Sequence, residues 1–337
     1  MIVVLKPGIS KREESEVLRE IKKLGYRPHV MRGVARTVVG AIGDERKNHT
    51  LETLTAWPQV EQVMPVQKRF KLVSREAHKA NSTVNVRGNL IGGRKFQVMA
   101  GPCSVESEKQ LLTTAHAVKQ AGATILRGGA FKPRTSPYEF QGLGEKGLKL
   151  LAKARRETGL AIITELLSEN HAEMVAEYAD ILQIGARNSQ NFQLLIAAAK
   201  TGRPVLLKRG LSMRIEEWLL AGEYVLSNNN PNLLFCERGI RTFETYTRNT
   251  LDLAAVPIVK KESHCPVVID PSQGCGRADL VVALCKGAVA MGADALLIEV
   301  HPNPAEAWSD GAQQMTLDGF ARLMEELKPL LAAVGRE

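Results

Sequence analysis

Residues 267–277, VVIDPSQGCGR, crowd a carboxylate, a hydroxyl, an amide and a thiol together immediately after a short apolar run. The same arrangement recurs along the chain. Cys103 follows QVMAGP, Arg127 and Lys132 lie in or after TILRGG, and Glu165 ends AIITE. Arg187 follows ILQIG, Lys208 ends PVLLK, and Glu237 with Arg238 ends LLFCER. Asp270 ends PVVID, and Glu299 and His301 end ALLIEVH. Reactive side chains therefore gather at one end of each apolar run.

Two chemistries are written in these residues. Arg127, Lys132, Arg134, Arg187, Lys208 and Arg238 supply more cation than one carboxylate ligand requires. Two phosphoryl groups, or a phosphate and a carboxylate, account for them, because the planar guanidinium fork binds such oxyanions bidentately. The competing reading is a set of ion pairs with Glu165, Glu237 and neighbouring acids. Cys103, Glu299 and Asp310 form the second group. A thiolate and two carboxylates can hold a divalent cation, although a buried cysteine is ordinarily a small apolar residue and Asp310 in WSDG an ordinary turn residue.

The elements that must position these groups follow from the rhythm of the sequence. Eight apolar runs after Gln97 alternate with eight segments of helical character over the last part of the chain. This predicts a (β/α)8 TIM barrel of α/β class over residues 97–337, whose active site lies at the C-terminal ends of the strands. No G-x-G-x-x-G follows the first run, which argues against a doubly wound open sheet. Residues 1–66 read differently. IVVLK predicts a strand, and Ser10 with Glu13 and Glu14 opens a helix closed at Gly25. Strands near His29–Met31 and in ARTVVGAIG, a second helix near Thr50–Ala56, and a strand in VEQVMPV complete the order βαββαβ. That is a small ferredoxin-like α+β domain without clustered acid, base or nucleophile, and so a regulatory or assembly module. Residues 67–96 read as linker and β-hairpin cap, turned at Gly88-Asn89.

Composition excludes several classes. The net charge of +9 comes from scattered Lys and Arg, without the basic run or aromatic stripe of a nucleic-acid binder. Anionic small substrates explain it equally well. The five cysteines show no C-x-x-C spacing, which argues against a disulfide framework or structural zinc. No long apolar run predicts a membrane span, and MIVVLKPGIS lacks the features of a signal peptide, so a cytoplasmic protein is expected.

The motifs AGPCSVES, LRGGAFKPRTSPYEFQGLGEKG, IGARN, LLKRG, CERGIRTFE, RNTLDLAAVP, DPSQ and IEVHPNPAEAWSDGAQQ carry a resemblance that spans essentially the whole chain. It resembles the type I DAHP (3-deoxy-D-arabino-heptulosonate 7-phosphate) synthases of the microbial form with an N-terminal ferredoxin-like domain. The related 3-deoxy-D-manno-octulosonate 8-phosphate synthases differ at KPRTS and normally lack that domain. The resemblance implies condensation of phosphoenolpyruvate with erythrose 4-phosphate, the first step of the shikimate pathway. By position it makes Arg127, Lys132, Arg187, Lys208 and Arg238 the phosphoenolpyruvate set, with Glu237 beside them. It puts Arg134, Thr135 and Ser136 at the phosphate of the sugar, and Asp270 near the sugar hydroxyls. Lys132 is the expected proton donor to the aldehyde, and Glu165 a helper in the water step. The resemblance also implies a homotetramer, and an aromatic amino acid effector, tyrosine or phenylalanine, touching His29. Met31 stands where a tyrosine-sensing member is expected to carry a small hydroxyl residue.

One position departs from the pattern. The family's four metal ligands correspond to Cys103, Gln273, Glu299 and Asp310, and Gln273 replaces a histidine. The ion implied is manganese, cobalt, iron, zinc or magnesium, and three readings stay open: a weakened site in which Gln273 ligates through oxygen or a water, with lower affinity for zinc, iron or copper and favouring manganese or magnesium; entry of Cys275 into the shell; or a reduced role for the metal. His264 and His301 are expected to be structural. A non-catalytic paralogue serving as a ligand sensor is the alternative to an enzyme, and so is a related 3-deoxy-ulosonate phosphate synthase.

Overall fold

Strands that are buried on both faces need no polar side, and each of the eight runs after Gln97 forms such a strand in the computed structural model. The structure describes residues 1–33, 36–43, 50–64, 69–134 and 136–337. It divides into two compact units, Met1–Arg69 and Phe70–Glu337.

The larger unit is a closed parallel barrel of β7 (Gln97–Gly101), β8 (Ile125–Arg127), β9 (Ala161–Glu165), β10 (Ile181–Ile184), β11 (Val205–Lys208), β12 (Leu233–Glu237), β13 (Val267–Ile269) and β14 (Ala295–Glu299), in sequential order. β14 closes on β7 through five aligned residues, Ala295 with Gln97 to Glu299 with Gly101. Outward side chains such as Val98, Leu126, Ile162, Leu182, Leu207, Phe235 and Leu296 join one core with the surrounding helices. Inward side chains form a second core: Met99, Ile125, Ile163, Ile181, Leu206, Leu234, Val268 and Leu297. Val84, Val86 and Ile91 belong to that inner core. They come from a hairpin of β5 (Val84–Val86) and β6 (Asn89–Ile91). The turn falls at Arg87-Gly88, one residue earlier than expected, because both residues adopt the positive φ (51° and 88°) of the mirror-image turn that matches strand twist.

The barrel helices are α2 (Glu108–Gln120), α3 (Glu145–Thr158), α4 (Ala172–Tyr178), α5 (Phe192–Lys200), α6 (Ile215–Leu226), α7 (Ala255–Glu262), α9 (Ala278–Ala290) and α10 (Leu317–Ala333), with a short α8 (Pro271–Cys275) after β13. The segment TRNTLDLAAV is helical only from Ala255, later than its pattern suggests. Its first half is tied to α8 instead. The Arg248 amide donates to the Cys275 carbonyl at 2.9 Å, and Asn249 Nδ2 to the Gln273 carbonyl at 3.0 Å.

The smaller unit is a four-stranded antiparallel sheet, β2-β3-β1-β4, of β1 (Ile2–Leu5), β2 (Arg27–Arg32), β3 (Thr37–Ile42) and β4 (Val60–Met64). Helix α1 (Lys11–Lys23) buries Val17 and Ile21 in the core that holds Val3, Leu5 and Val39. Ser10 and Glu13 close a reciprocal capping box at its start. Gly25 (φ 94°) ends it in a Schellman turn, with Tyr26 N–H donating to the Ile21 carbonyl. The expected second helix is a 3-10 turn, Leu51–Ala56, burying Leu51 and Leu54. Its two apolar residues stand three apart, the 3-10 repeat, over a stretch too short for a stable α-helix. No helix among the described residues is long and apolar enough to cross a membrane.

Candidate active site

Inward alternation, continued past the inner core, builds the barrel mouth. Two residues beyond Ile125, Ile163, Ile181, Leu206, Cys236, Val268 and Leu297 stand Arg127, Glu165, Gln183, Lys208, Arg238, Asp270 and Glu299. A cavity of about 240 Å³ opens there, lined by Arg127, Lys132, Arg134, Glu165, Gln183, Arg187, Lys208, Arg238, Arg248, Gln273 and Asp310 among others. All six cations expected from the sequence line it. Two of them keep donors unused: Arg127 Nε and Arg238 Nε and Nη1 are buried without a hydrogen-bond partner among the described residues. Buried donors of this kind need a partner, and an anionic ligand supplies one. Burial holds the Arg238 guanidinium below its usual range.

Backbone spacing is set by glycines at two places. A side chain on Gly101 (φ 156°) would lie 2.1 Å from the Arg127 carbonyl, so the end of β7 must be bare. A Cβ on Gly185 would sit 2.0 Å from Glu165 Oε1, so the space beyond β10 belongs to that carboxylate. Gln183 Nε2 donates to Glu165 Oε2 at 3.4 Å.

Beside Asp310 of the cavity lining, Cys103 and Glu299 are buried; the three bring ligand atoms within 4.8 Å of one another, and they are the group among the described residues able to hold a metal ion. Their partners are already dense. Glu299 Oε1 accepts from Arg127 Nη1 and Gln273 Nε2, both at 2.9 Å, and Oε2 from Gln313 Nε2 at 2.6 Å. Asp310 Oδ1 accepts from Arg248 Nη1 at 3.2 Å, and the Cys103 thiol lies 3.4 Å from Oδ2. Lys132 Nζ donates to Cys103 Sγ at 3.0 Å and to the Cys103 carbonyl at 3.2 Å. Burial alone would raise the Glu299 carboxyl, but Arg127 and Lys132 outweigh it and hold it below the usual carboxylate range. Burial, helped by the Glu299 charge, pushes the Cys103 thiol up to about 11.

The fourth position does not fit the family's ligand set. Gln273 presents its amide nitrogen, not its oxygen, to Glu299 (2.9 Å) and Asp310 (3.4 Å). Its Oε1 is taken by Arg238 Nη2 at 3.0 Å. None of Cys275, His264 and His301 replaces it. The Cys275 thiol turns to the Arg277 carbonyl at 3.2 Å. His301 faces Glu106 at 3.2 Å, and His264 is held by Ser82 and the Leu72 carbonyl.

Other expectations are redistributed by the same alternation. Glu237 points outward, where Arg209 Nη1 (2.9 Å) and the Gly239 amide (2.6 Å) hold it, so it does not line the cavity. Against burial, which raises its carboxyl, Arg209 is the strongest opposing influence. Asp270 is buried beneath the mouth rather than lining it. Oδ2 accepts from Lys208 Nζ at 2.6 Å, and Oδ1 caps α8 through the Gln273 amide at 2.9 Å. Arg134 lines the cavity and pairs with Glu139 at 2.7 Å. Ser136 accepts from the Tyr138 amide at 3.3 Å and lies outside the lining, while Thr135 lies outside the described residues. His29 is exposed on β2, opposite Gly40 of β3. Sequence reasoning missed Gln183, Arg248, Gln313 and Arg209. The inward register would have found Gln183, but Arg248 reaches the site from a loop and Gln313 from the single 3-10 turn Gly311–Gln313, and neither leaves a periodic signal.

Each of the two units has a counterpart among known proteins. Residues 75–333 match the model of the DAHP synthetase I family, and residues 1–68 that of the DAHP synthase ferredoxin-like domain. The phospho-2-dehydro-3-deoxyheptonate aldolase of Thermotoga maritima is 48% identical over 335 residues, covering 99% of both chains. The crystal structure of the Thermotoga maritima DAHP synthase superposes with a TM-score of 0.96, covering 100% of this chain and 98% of the other at 48% identity. A 2-dehydro-3-deoxyphosphooctonate aldolase of Caulobacter vibrioides is 35% identical over 255 residues, covering 70% of this chain and 87% of its own. With the barrel and the smaller sheet each matched by its own model, the chain belongs to the DAHP synthetase I family.

Proposed function

We propose that the chain is a DAHP synthase, condensing phosphoenolpyruvate with erythrose 4-phosphate to give DAHP and inorganic phosphate. The observation that carries this reading is one cavity lined by Arg127, Lys132, Arg134, Arg187, Lys208 and Arg238, with buried guanidinium donors left for a ligand. Two substrates that each bear phosphate repel one another, and a cationic cradle offsets that repulsion while fixing their approach. Arg127, Lys132, Arg187, Lys208 and Arg238 take the phosphate and carboxylate of phosphoenolpyruvate. Arg134, which lines the cavity, takes the sugar phosphate, and its neighbours in sequence Thr135 and Ser136 are assigned to the same group by the family resemblance.

In the condensation, the C3 carbon of phosphoenolpyruvate forms a bond to the aldehyde carbon of erythrose 4-phosphate, and the aldehyde oxygen takes a proton from Lys132 Nζ. Burial lowers the proton affinity of Lys132, but the Cys103, Glu299 and Glu165 environment more than offsets it, so the ammonium is present to donate. Water adds at the former enol carbon and loses a proton, with Glu165 nearby to accept it. The C–O bond to phosphate then breaks, phosphate leaves with the electron pair, and the added hydroxyl closes to the ketone C=O as its proton passes to the departing phosphate. Asp270 acts by position, through Lys208 and the start of α8. Cys103, Glu299 and Asp310 are the residues that would surround a divalent cation, but no step here is routed through one because Gln273 opposes it.

In the smaller unit, His29 is the proposed contact for an aromatic amino acid effector, supported by its exposure on β2 and by the bare Gly40 beside it. A homotetramer in the cytoplasm accords with the family. The test is a coupled assay of phosphate release and DAHP formation with both substrates, repeated with tyrosine and phenylalanine. Absence of turnover, with substrates still bound, would replace the enzyme by a ligand sensor.

A further inference from the structure

The substitution at position 273 reaches beyond a missing ligand. The Gln273 side chain is fixed at both ends: Oε1 accepts from Arg238 Nη2 at 3.0 Å, and Nε2 donates to Glu299 at 2.9 Å and Asp310 at 3.4 Å. Its backbone is fixed as well, through the Asp270 carboxylate at 2.9 Å and Asn249 Nδ2 at 3.0 Å. Turning the amide over to offer oxygen to a cation would set its NH2 against the Arg238 donor. It would also set its oxygen against two carboxylates until a cation arrived. The neighbours therefore select the orientation that cannot ligate.

The remaining donors are screened in the same way. Lys132 Nζ lies on Cys103 Sγ at 3.0 Å, Arg127 on Glu299 at 2.9 Å, and Arg248 on Asp310 at 3.2 Å. The two carboxylates and the thiol thus each already face one cation. A divalent ion entering here must displace hydrogen bonds that are short and charge-assisted, without the imidazole that would favour a transition metal.

We infer that Gln273 replaces the metal's structural role with a neutral hydrogen-bond bridge, so that this synthase holds Cys103, Glu299 and Asp310 in place and turns over without a divalent cation. The inference rests on the condensation reading above. The atom balance of that reaction is unchanged, since the aldehyde oxygen receives its proton from Lys132 and no redox step is involved. Gln273 is a positioning residue that acts through Arg238 and the two carboxylates.

The test compares the wild type with Gln273→His, each purified without a metal-affinity step. Metal content is measured per chain by mass spectrometry, and turnover is measured in dipicolinate and after add-back of Mn²⁺, Co²⁺, Fe²⁺, Zn²⁺ or Mg²⁺ singly. The expected wild type carries far less than one ion per chain and changes rate by less than about threefold in chelator or with any ion, whereas Gln273→His takes up about one ion and becomes chelator-sensitive. Stoichiometric metal in the wild type, or a larger loss in chelator that one ion restores, overturns the inference while leaving the synthase reading intact. If Gln273→His recruits no ion, the wild-type measurements decide alone. If the wild type shows no condensation under any condition, the synthase reading fails and takes this one with it.

Discussion

The two ends of the barrel share one construction rule and reach opposite results. Along every strand, alternate side chains point inward, and the middle of the lumen is filled by residues such as Met99, Ile163, Leu206 and Leu297. Where the strands begin, the same lumen meets Val84, Val86 and Ile91 of the hairpin and stays apolar. Where they end, it meets Arg127, Lys208, Arg238 and Glu299, and an open cavity replaces a packed plug. Stability therefore concentrates at one end and chemistry at the other. The charged end is tolerable because its cations and acids satisfy one another: Lys208 with Asp270 at 2.6 Å, and Arg127 with Glu299 at 2.9 Å.

Substitutions at the two ends should separate these effects. Lys132→Met removes the proposed proton donor, and kcat should fall by about a thousandfold, roughly 4 kcal/mol of barrel-mouth chemistry, with little change in Tm. Steady-state kinetics beside thermal unfolding check both halves of that statement, and a parallel loss of stability would break the contrast. Arg209→Met is the next largest. It strands Glu237 as a buried unpaired carboxylate on the outer face, and stability should drop by about 3–4 kcal/mol, read as a shift of denaturant midpoint. Since Glu237 does not line the cavity, the KM values of the folded fraction should hold; a KM change would return it to the substrate.

At the plugged end, Ile91→Ala leaves a hole in the inner core and should cost about 2–3 kcal/mol in denaturant unfolding, with kcat and KM near wild type. A kinetic defect there would show that the plug also shapes the mouth. The smallest effect expected is that of Arg238→Gln. It removes the donors left for a ligand and the partner of Gln273 Oε1, and should raise KM for phosphoenolpyruvate about tenfold to a hundredfold, seen in substrate titrations.

Much of this was legible in the chain itself. The eight apolar runs mark the barrel strands, and reading two residues past each inward position finds most of the mouth. Position 237 shows how fine the register is. Glu237 and Arg238 adjoin in sequence, but a strand sends neighbours to opposite faces, so one enters the lumen and the other pairs with Arg209 outside. Asp270 falls on the inward register, yet Lys208 and the α8 amide draw its oxygens beneath the surface. Arg248 and Gln313 escaped notice because a loop and a single 3-10 turn carry no periodic pattern.

By itself, then, the sequence determined the strand and helix rhythm, the set of cations, the ferredoxin-like order of the first unit and the presence of the Gln273 amide just past the end of a strand. Each follows from local residue type and spacing, which set hydrophobic period and charge. Only the tertiary structure decided which way that amide faces. Its two ends are indistinguishable in sequence, and the choice between them is made by Arg238 on one side and Glu299 and Asp310 on the other, brought together from three different strand ends and loops. Electrostatic complementarity between those distant segments is what turns Gln273 from a prospective oxygen ligand into a hydrogen-bond donor.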